Sequence, residues 1–301
     1  MRNDLEGVFI ALTTPFVGDR IAPGKLAANI EKYNRTEVAG YLVLGTTGES
    51  VYLTDDESLE LVEATVKAAA PAKRVIVGTA RESTRWTLEF TAAAAQFGIA
   101  AALVRPPSYF KTRMTREALK KHFFTLSEEC RVPVIIYNIP QTTGISLDPA
   151  LVVELAGHPN IIGLKESSGS LPVLAEVIRE APTDFRYFLG SGHVLFPGFG
   201  MGACGAILAV AGAAPELAVD IYKLFRAGRM DEARDKQLAL VPLNKAVTEK
   251  YGIAGLKYAQ DLRGLYGGLP RPPLLPLSEE GKNEMSRLVA ELDLFRPVGE
   301  A

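Results

Sequence analysis

The chain has 301 residues, 48% hydrophobic and 23% charged, a balance that predicts a globular core and argues against a disordered chain. The formal net charge is −2, and the two signs are interspersed without a basic run, so nucleic acid and anionic membranes are not expected partners. No stretch of about 18 uninterrupted apolar residues occurs, so a membrane span is not expected either.

The two cysteines, Cys130 and Cys204, lie far apart in the sequence and form no CxxC pair, which fits a reduced protein better than a disulfide scaffold. The first residues, MRNDLEGVFI, contain no charged leader ahead of a long apolar stretch, so no secretory signal is expected. We therefore expect a cytoplasmic protein.

Short apolar runs alternate with longer stretches of helical spacing along the chain. In order, the predicted strands are 7–15, 40–45, 74–80, 101–107, 132–138, 161–165, 185–191 and 204–210. Helix starts are recognisable between them. Thr54 and Glu57 have the spacing of a capping box. Ser83 opens a helix that stops at Gly98, and Pro149 occupies the first position of another.

Continuous apolar strands separated by helices predict a wholly parallel sheet that is covered on its outer face. Eight such units favour a closed (β/α)₈ TIM barrel, an α/β fold, over an open doubly wound sheet, although periodicity alone does not distinguish the two. After about residue 212 the pattern is helical, with one helix to complete the barrel and about three beyond it. We predict a barrel domain over 1–228 and a C-terminal helical appendage over 229–301.

In a parallel barrel the chemistry is expected at the carboxyl ends of the strands. These ends supply one lysine, one tyrosine, one arginine and several hydroxyl groups: Thr13, Thr14, 45–50, Gly78, Thr79, Arg105, Tyr137, Asn138, Lys165, Glu166, Gly190, Ser191 and Ile207. They include no zinc-spaced histidine pair and no carboxylate cluster suited to magnesium, so we expect no metal. The segment GMGACG matches a dinucleotide fingerprint but lies between a helical pattern and a strand, the reverse of the required order, so no cofactor is expected.

Lys165 is the only lysine that directly ends a predicted core strand. Attack on a ketone needs the neutral amine, which a dry barrel mouth favours, but an ion pair with a neighbour such as Glu166 is an alternative. Tyr137 ends the adjacent strand and is suited to shuttle protons, the alternative being a core tyrosine. The GTTGES segment suits a small carboxylate through its backbone N–H groups and the hydroxyls of Thr46 and Thr47, or is an ordinary tight turn.

The motifs GTTGES, PPSYF, YNIPQTTG and GLKESSG occur in this order over nearly the whole chain. The sequence resembles the dihydrodipicolinate synthase/N-acetylneuraminate lyase family, class I aldolases that form a Schiff base with pyruvate and other 2-oxo acids. The resemblance implies that Lys165 forms the imine and that Tyr137 shuttles protons and contacts the substrate carboxylate. It further implies that Thr46 and Thr47 bind this carboxylate, with Thr46 also relaying protons.

The same resemblance concerns the pocket wall and the assembly. It implies that Gly190 and Ile207 line the pyruvate pocket. It also implies that Tyr109, in PPSYF, enters the site of a neighbouring subunit and completes the hydroxyl relay. A homo-oligomer is therefore expected. It should be at least a dimer, and we expect two such dimers to form a homotetramer.

One position departs from the synthase pattern. Synthases of this family usually carry an arginine two residues before the glycine of the YN…TG loop, where this chain has Thr142, which cannot make a bidentate charged contact. The segments PLNKAVTEKYGIAGLK and LGSG look more like 4-hydroxy-2-oxoglutarate aldolases. Arg105 is then a candidate for holding the distal carboxylate, with a salt bridge at the rim as the alternative.

Three functions follow from these patterns. The leading interpretation is a lyase that cleaves a 4-hydroxy-2-oxo acid, such as 4-hydroxy-2-oxoglutarate, to pyruvate and an aldehyde, here glyoxylate. The second is the synthase that condenses pyruvate with aspartate semialdehyde. The third is a barrel without catalytic activity that senses a 2-oxo acid.

Overall fold

The computed structural model describes residues 5–299. Its strands, in chain order, are β1 Gly7–Ala11, β2 Phe16–Val17, β3 Arg20–Ile21, β4 Gly40–Val43, β5 Arg74–Gly78, β6 Ala101–Val104, β7 Val134–Asn138, β8 Ile161–Glu166, β9 Arg186–Leu189 and β10 Gly205–Leu208. Strands β1 and β4 to β10 form a closed barrel in which all neighbours are parallel and β10 pairs with β1. The predicted TIM barrel is confirmed, and the open sheet is excluded.

Helices cover the outside of the barrel and continue beyond it. They are α1 Pro23–Tyr33, α2 Asp55–Ala68, α3 Thr84–Ala95, α4 Arg116–Glu129, α5 Pro140–Thr143, α6 Pro149–Ala156, α7 Leu171–Glu180, α8 Leu195–Gly200, α9 Pro215–Arg226, α10 Met230–Lys245, α11 Gly252–Leu262 and α12 Glu279–Glu291. The predicted boundary near residue 228 falls between α9 and α10, and the division into two domains stays a prediction. In the described part of the chain, no helix is long and apolar enough to cross a membrane.

Several local predictions are confirmed. The Thr54 hydroxyl accepts the N–H of Glu57, and the Glu57 carboxylate accepts the N–H of Thr54, which completes the capping box of α2. Ser83 caps α3, and Pro149 occupies the first turn of α6. Helix α8 precedes β10, so GMGACG runs from helix to strand, as its rejection as a dinucleotide site requires.

Other predictions need correction. The first strand ends at Ala11 rather than at residue 15, and the hairpin of β2 and β3 was not predicted. The helical pattern predicted after about residue 212 is interrupted: α11 ends at Leu262, because Gly264 adopts a φ of 69° and breaks the helical hydrogen bonding. The chain from Arg263 to Leu277 is irregular and passes close to the barrel mouth. Between α10 and α11, Ala246–Lys250 forms one turn of π-helix.

Two buried apolar clusters follow from the alternation of side chains along the strands. One fills the barrel interior and includes Phe9, Leu42, Ile76, Leu103, Ile135, Phe188 and Ile207. The other lies between the strands and the surrounding helices. On β7, Ile135 and Tyr137 belong to the inner cluster, while Val134 and Ile136 face the helices. The inner cluster fills the barrel below the carboxyl ends of the strands, so the barrel is open at that end only.

Candidate active site

A cavity of about 850 Å³ lies at the carboxyl end of the barrel. Six of the predicted site residues line it together: Thr46, Thr47, Tyr137, Lys165, Gly190 and Ile207. A smaller recess of about 240 Å³ adjoins it, sharing Thr46, Tyr137 and Thr142 with the main cavity and reaching Arg105. Most of the site residues predicted from the strand ends therefore meet in the main cavity, with the recess beside it.

An irregularity in β8 brings Lys165 to the inner face of the barrel. Val134 pairs with Ile161, but the next residue, Ile135, pairs with Gly163, so Ile162 is an extra residue in β8. Ile162 belongs to the inner cluster, and regular alternation from it would turn residue 165 outward. The extra residue shifts the alternation of side chains by one position, so that Lys165 faces the barrel interior. There it lies directly beside Tyr137 of β7.

The Lys165 amine is buried without a counter-charge. Its Nζ lies 4.2 Å from the centroid of the Tyr137 ring and makes no ion pair with any residue in 5–299. The alternative partner, Glu166, is engaged elsewhere: its carboxylate accepts the N–H and hydroxyl of Ser168 at 2.7 and 2.8 Å and the amide of Asn138 at 3.2 Å. The ion pair between Lys165 and Glu166 is thus absent, and the amine is available to a ligand.

The hydroxyl groups around this amine are also free to bind a ligand. Tyr137 is buried in the inner cluster, and its hydroxyl has no hydrogen-bond partner among the described residues, nor do those of Thr46 and Thr47. Thr46 and Thr47 belong to a 3₁₀ turn, Thr46–Gly48, that follows β4. The Thr14 hydroxyl donates to the Gly48 carbonyl at 2.6 Å and holds the end of this turn.

Gly190 is required by close packing in the cavity wall. A Cβ atom at this position would lie 2.0 Å from the Ser167 hydroxyl oxygen. The Gly190 N–H donates to the Glu166 carbonyl at 2.6 Å, which keeps β9 close to β8. Ile207, on the neighbouring strand β10, lines the cavity beside it.

Arg105 and Tyr109 are placed differently from the other predicted residues. Arg105 donates to the Glu82 carboxylate at 2.9 Å, the rim salt bridge considered as the alternative, although it also borders the recess. Tyr109 is 81% exposed, lies outside the main cavity and packs edge-on against Phe110. In the described chain Tyr109 therefore completes no site of its own.

Glu82 organises the loop that carries Tyr109. Its carboxylate accepts the N–H groups of Ser108 and Tyr109 at 2.9 and 2.8 Å, in addition to the contact with Arg105. Burial alone would raise the pKa of Glu82, but these hydrogen bonds outweigh it and hold the pKa below its usual value. The loop is therefore held in place by an ionised carboxylate.

Comparison with known proteins agrees with this fold. The model of the dihydrodipicolinate synthetase family matches residues 4–292. The chain belongs to this family. A 4-hydroxy-tetrahydrodipicolinate synthase of Methanopyrus kandleri is 34% identical over 99% of this chain and 100% of its own length. One of the same name from Archaeoglobus fulgidus is 33% identical over 96% of this chain and 99% of its own.

Solved structures of the family are similar throughout. Dihydrodipicolinate synthase from Thermotoga maritima has a TM-score of 0.92 at 28% identity, covering 97% of this chain and 100% of its own. YagE, a prophage protein of the family from E. coli K12 described in complex with pyruvate, has a TM-score of 0.91 at 28% identity, covering 96% and 99%. As a dihydrodipicolinate synthetase family member, the protein is a lyase of the pyruvate-dependent aldolase type.

Part of the cavity wall was not predicted. The lining also includes Gln141, Ser167, Ser168, His193, Thr248 and Glu249. Thr248 and Glu249 belong to the π-helical turn after α10, so the segment beyond the barrel reaches this cavity. The His193 ring contacts Asn244 at 2.9 Å and lies 3.7 Å from Glu249. Ser167 and Ser168 lie within the quoted motif GLKESSG, the one signal that pointed to them.

Metal ligands are not grouped in the part of the chain that the structure describes. Within 5–299, no set of three or more His, Cys, Asp and Glu side chains is arranged to hold an ion. Metal independence stays a prediction, which rests on the chemistry proposed below.

Proposed function

We propose that the protein forms a Schiff base between Lys165 and pyruvate and uses it to make or break a carbon–carbon bond. The observation that carries the proposal is a buried amine without a counter-charge, surrounded by the free hydroxyls of Tyr137, Thr46 and Thr47. A family member described in complex with pyruvate supports the choice of 2-oxo acid.

The chemistry follows from this arrangement. The Lys165 amine adds to the C2 carbonyl of pyruvate to give a carbinolamine, which loses one water and becomes a protonated imine. Removal of a C3 proton gives an enamine, whose C3 attacks the aldehyde carbon, and hydrolysis of the imine then releases the product. Cleavage is the same sequence in reverse. The protonated imine accepts the electron pair that a divalent ion would otherwise stabilise, so added chelator is not expected to matter.

The hydroxyl groups have separate tasks in this sequence. The Tyr137 hydroxyl, beside the amine, moves protons between the carbinolamine, the imine and the enamine, with Thr46 as the next member of the relay. The Gly48 N–H donates to the Gly45 carbonyl at 3.0 Å, so the N–H groups and hydroxyls of Thr46 and Thr47 bind the carboxylate of pyruvate.

Two aldehyde partners remain as candidates. The names of the curated relatives support condensation with aspartate semialdehyde, the reaction of a 4-hydroxy-tetrahydrodipicolinate synthase. Thr142, which borders the recess where synthases usually carry an arginine, supports cleavage of 4-hydroxy-2-oxoglutarate instead. The family assignment argues against the barrel that only senses a 2-oxo acid, since that would bind pyruvate without turnover.

Arg105→Ala tests which group binds the acceptor's carboxylate. Hydrogen bonds to charged groups contribute roughly 1.5–3 kcal/mol, so KM for the carboxylate-bearing acceptor or cleavage substrate should rise about tenfold to a hundredfold. The rate of imine formation with pyruvate should stay the same. Both reactions are measured as kcat/KM in wild type and variant, and the faster one identifies the aldehyde partner.

Arg116→Ala is the matched control for this variant. Arg116 is also paired with carboxylates, Asp148 and Glu154, but borders neither cavity, so KM should not change. A KM that Arg105→Ala leaves unchanged would remove Arg105 from the acceptor site without affecting the Schiff-base proposal.

The assembly is part of the proposed function. We expect a homo-oligomer, at least a dimer and as a further step a dimer of dimers, in which Tyr109 reaches the neighbouring site. An exposed apolar patch supports this: Val51 is 69%, Tyr109 81% and Phe110 67% exposed, and Val51 and Tyr109 border one groove with Trp86.

Mixing Tyr109→Phe chains with Lys165→Ala chains should restore activity if the site is shared. In a mixed dimer one site combines Lys165 of the first chain with Tyr109 of the second. Random exchange should thus give about a quarter of the wild-type activity per site. Each variant alone serves as the control, and subunit exchange is checked by native mass spectrometry. Exchange without recovered activity would show that each site is built from one chain.

A further inference from the structure

The turn that carries Thr46 and Thr47 is bracketed by strained backbone. Three non-glycine residues among those described have a positive φ: Leu44, Glu49 and Asp293. Leu44 at 59° precedes the turn Thr46–Gly48, and Glu49 at 56° follows it. Residues held in this left-handed region persist where surrounding contacts determine them, and such residues cluster at functional sites.

The contacts that determine Glu49 come from the C-terminal appendage. Its fully buried carboxylate lies 2.6 Å from Nζ of Lys257, which is itself fully buried on α11. This contact has the distance of an ion pair but not the alignment of a hydrogen bond. The other carboxylate oxygen accepts the backbone N–H of Arg271 at 2.7 Å. Both partners are more than 200 residues away in sequence.

Lys257 is in turn held by its surroundings. It donates to the Leu269 carbonyl at 2.9 Å and lies 4.6 Å from the centroid of the Phe16 ring. Burial lowers the pKa of Lys257, and the charge of Glu49 opposes this. Gly267 packs so closely that a Cβ atom there would lie 1.9 Å from the Lys257 carbonyl oxygen. The Leu269 carbonyl and the Phe16 ring together keep the ammonium group beside Glu49.

The geometry points to Glu49 as a positioning residue. Its buried carboxylate, held by Lys257 and the N–H of Arg271, sets the direction of the turn that presents Thr46 and Thr47 to the carboxylate of pyruvate. At the other end, Thr14 holds the Gly48 carbonyl. Through these contacts the C-terminal appendage sets the affinity for pyruvate by way of the turn. This rests on the proposed function, in which Thr46 and Thr47 bind that carboxylate.

Glu49→Gln keeps the shape of the side chain but removes its charge. KM for pyruvate should rise about tenfold to a hundredfold, the range for losing a charge-assisted contact, and kcat should fall as well, because Thr46 also belongs to the proposed proton relay. Glu49→Gly relieves the strained φ and also removes the carboxylate, so the same rise is expected. A wild-type KM in Glu49→Gly would show that only the backbone conformation matters and would overturn the inference.

A double variant separates positioning from stability. In Glu49→Gln with Lys257→Met no unpaired buried charge remains, and neutral replacement of a buried ion pair is often tolerated. Its Tm should therefore recover relative to Glu49→Gln, while KM for pyruvate stays raised. Recovery of both would mean that Glu49 acts only through folding, which would also overturn the inference.

Arg263→Met is the matched control. Arg263 follows α11 and is fully buried, and it joins the appendage to the barrel through Glu216 at 3.1 Å without contacting the turn. This variant should lower Tm and leave KM unchanged; an equal rise in KM would overturn the inference. Borohydride trapping at increasing pyruvate gives half-saturation independently of turnover. No trapping at Lys165 in wild type would contradict the proposed function, whereas trapping with unchanged half-saturation in Glu49→Gln would contradict this inference alone.

Discussion

Lys165→Ala is expected to lower kcat on the order of 10⁴-fold or more, because it removes the nucleophile on which every later step depends. In wild type, borohydride with pyruvate should inactivate the enzyme and add one reduced adduct at Lys165. The variant should show neither effect. Peptide mass spectrometry identifies the modified residue, and stopped-flow or quenched mixing gives the rate of adduct formation.

Two control variants make this result specific to imine formation. Lys165→Arg keeps a positive charge but cannot form the imine, so it should be as inactive as Lys165→Ala. Lys73→Met removes another partly buried lysine, one that donates to the Thr36 and Val38 carbonyls away from the cavity, and should keep both trapping and turnover. An adduct at a different lysine, or activity retained in Lys165→Ala, would exclude the proposed mechanism.

Tyr137→Phe is expected to lower kcat by roughly 10²- to 10⁴-fold, the usual contribution of a positioned proton donor and acceptor. The phenyl ring keeps the 4.2 Å contact with the Lys165 amine, so the change removes the hydroxyl alone. The carbinolamine then loses water more slowly, and borohydride trapping should slow along with turnover. Steady-state kinetics and the trapping rate measure the two effects.

Tyr41→Phe provides the matched comparison. Tyr41 is a buried tyrosine on β4 whose hydroxyl donates to Asn34 at 2.8 Å, and its side chain belongs to the outer cluster between strands and helices. Loss of the Tyr41 hydroxyl should lower the free energy of unfolding and leave kcat unchanged. A kcat within about threefold of wild type in Tyr137→Phe would assign the proton transfers to another group.

Most of the fold could be predicted because the sequence patterns that indicate its strands and helices are local. Buried parallel strands read as continuous apolar runs, and the helices between them start at residues such as Thr54 and Ser83 that cap their own N-termini. The short hairpin Phe16–Ile21 gave no such signal, because strands of two residues have no periodicity. The early end of α11 at Leu262 depends on a left-handed glycine whose φ the sequence does not specify.

The site was predictable to the extent that it is built from strand ends. Lys165 and Tyr137 follow from that rule, while their roles came from the family resemblance and remain to be tested. The ion pair of Glu49 with Lys257 was missed, because it joins residues that are distant in sequence and no local pattern relates them. Thr248 and Glu249 were missed for the same reason. The role predicted for Tyr109 requires a second chain, and it stays a prediction.

The extra residue in β8 also limits how this site can be rebuilt. The reactive amine and Ile162, which packs in the barrel interior, are three positions apart, an odd spacing that a regular strand assigns to opposite faces. An engineer who grafts this strand unchanged onto a regular barrel, with Ile162 still facing inward, would turn the amine into the helical layer. Gly163 marks the place, since a Cβ atom there would lie 2.4 Å from the Arg186 carbonyl oxygen. If the sequence of this strand is kept, the extra residue has to be transferred together with the lysine.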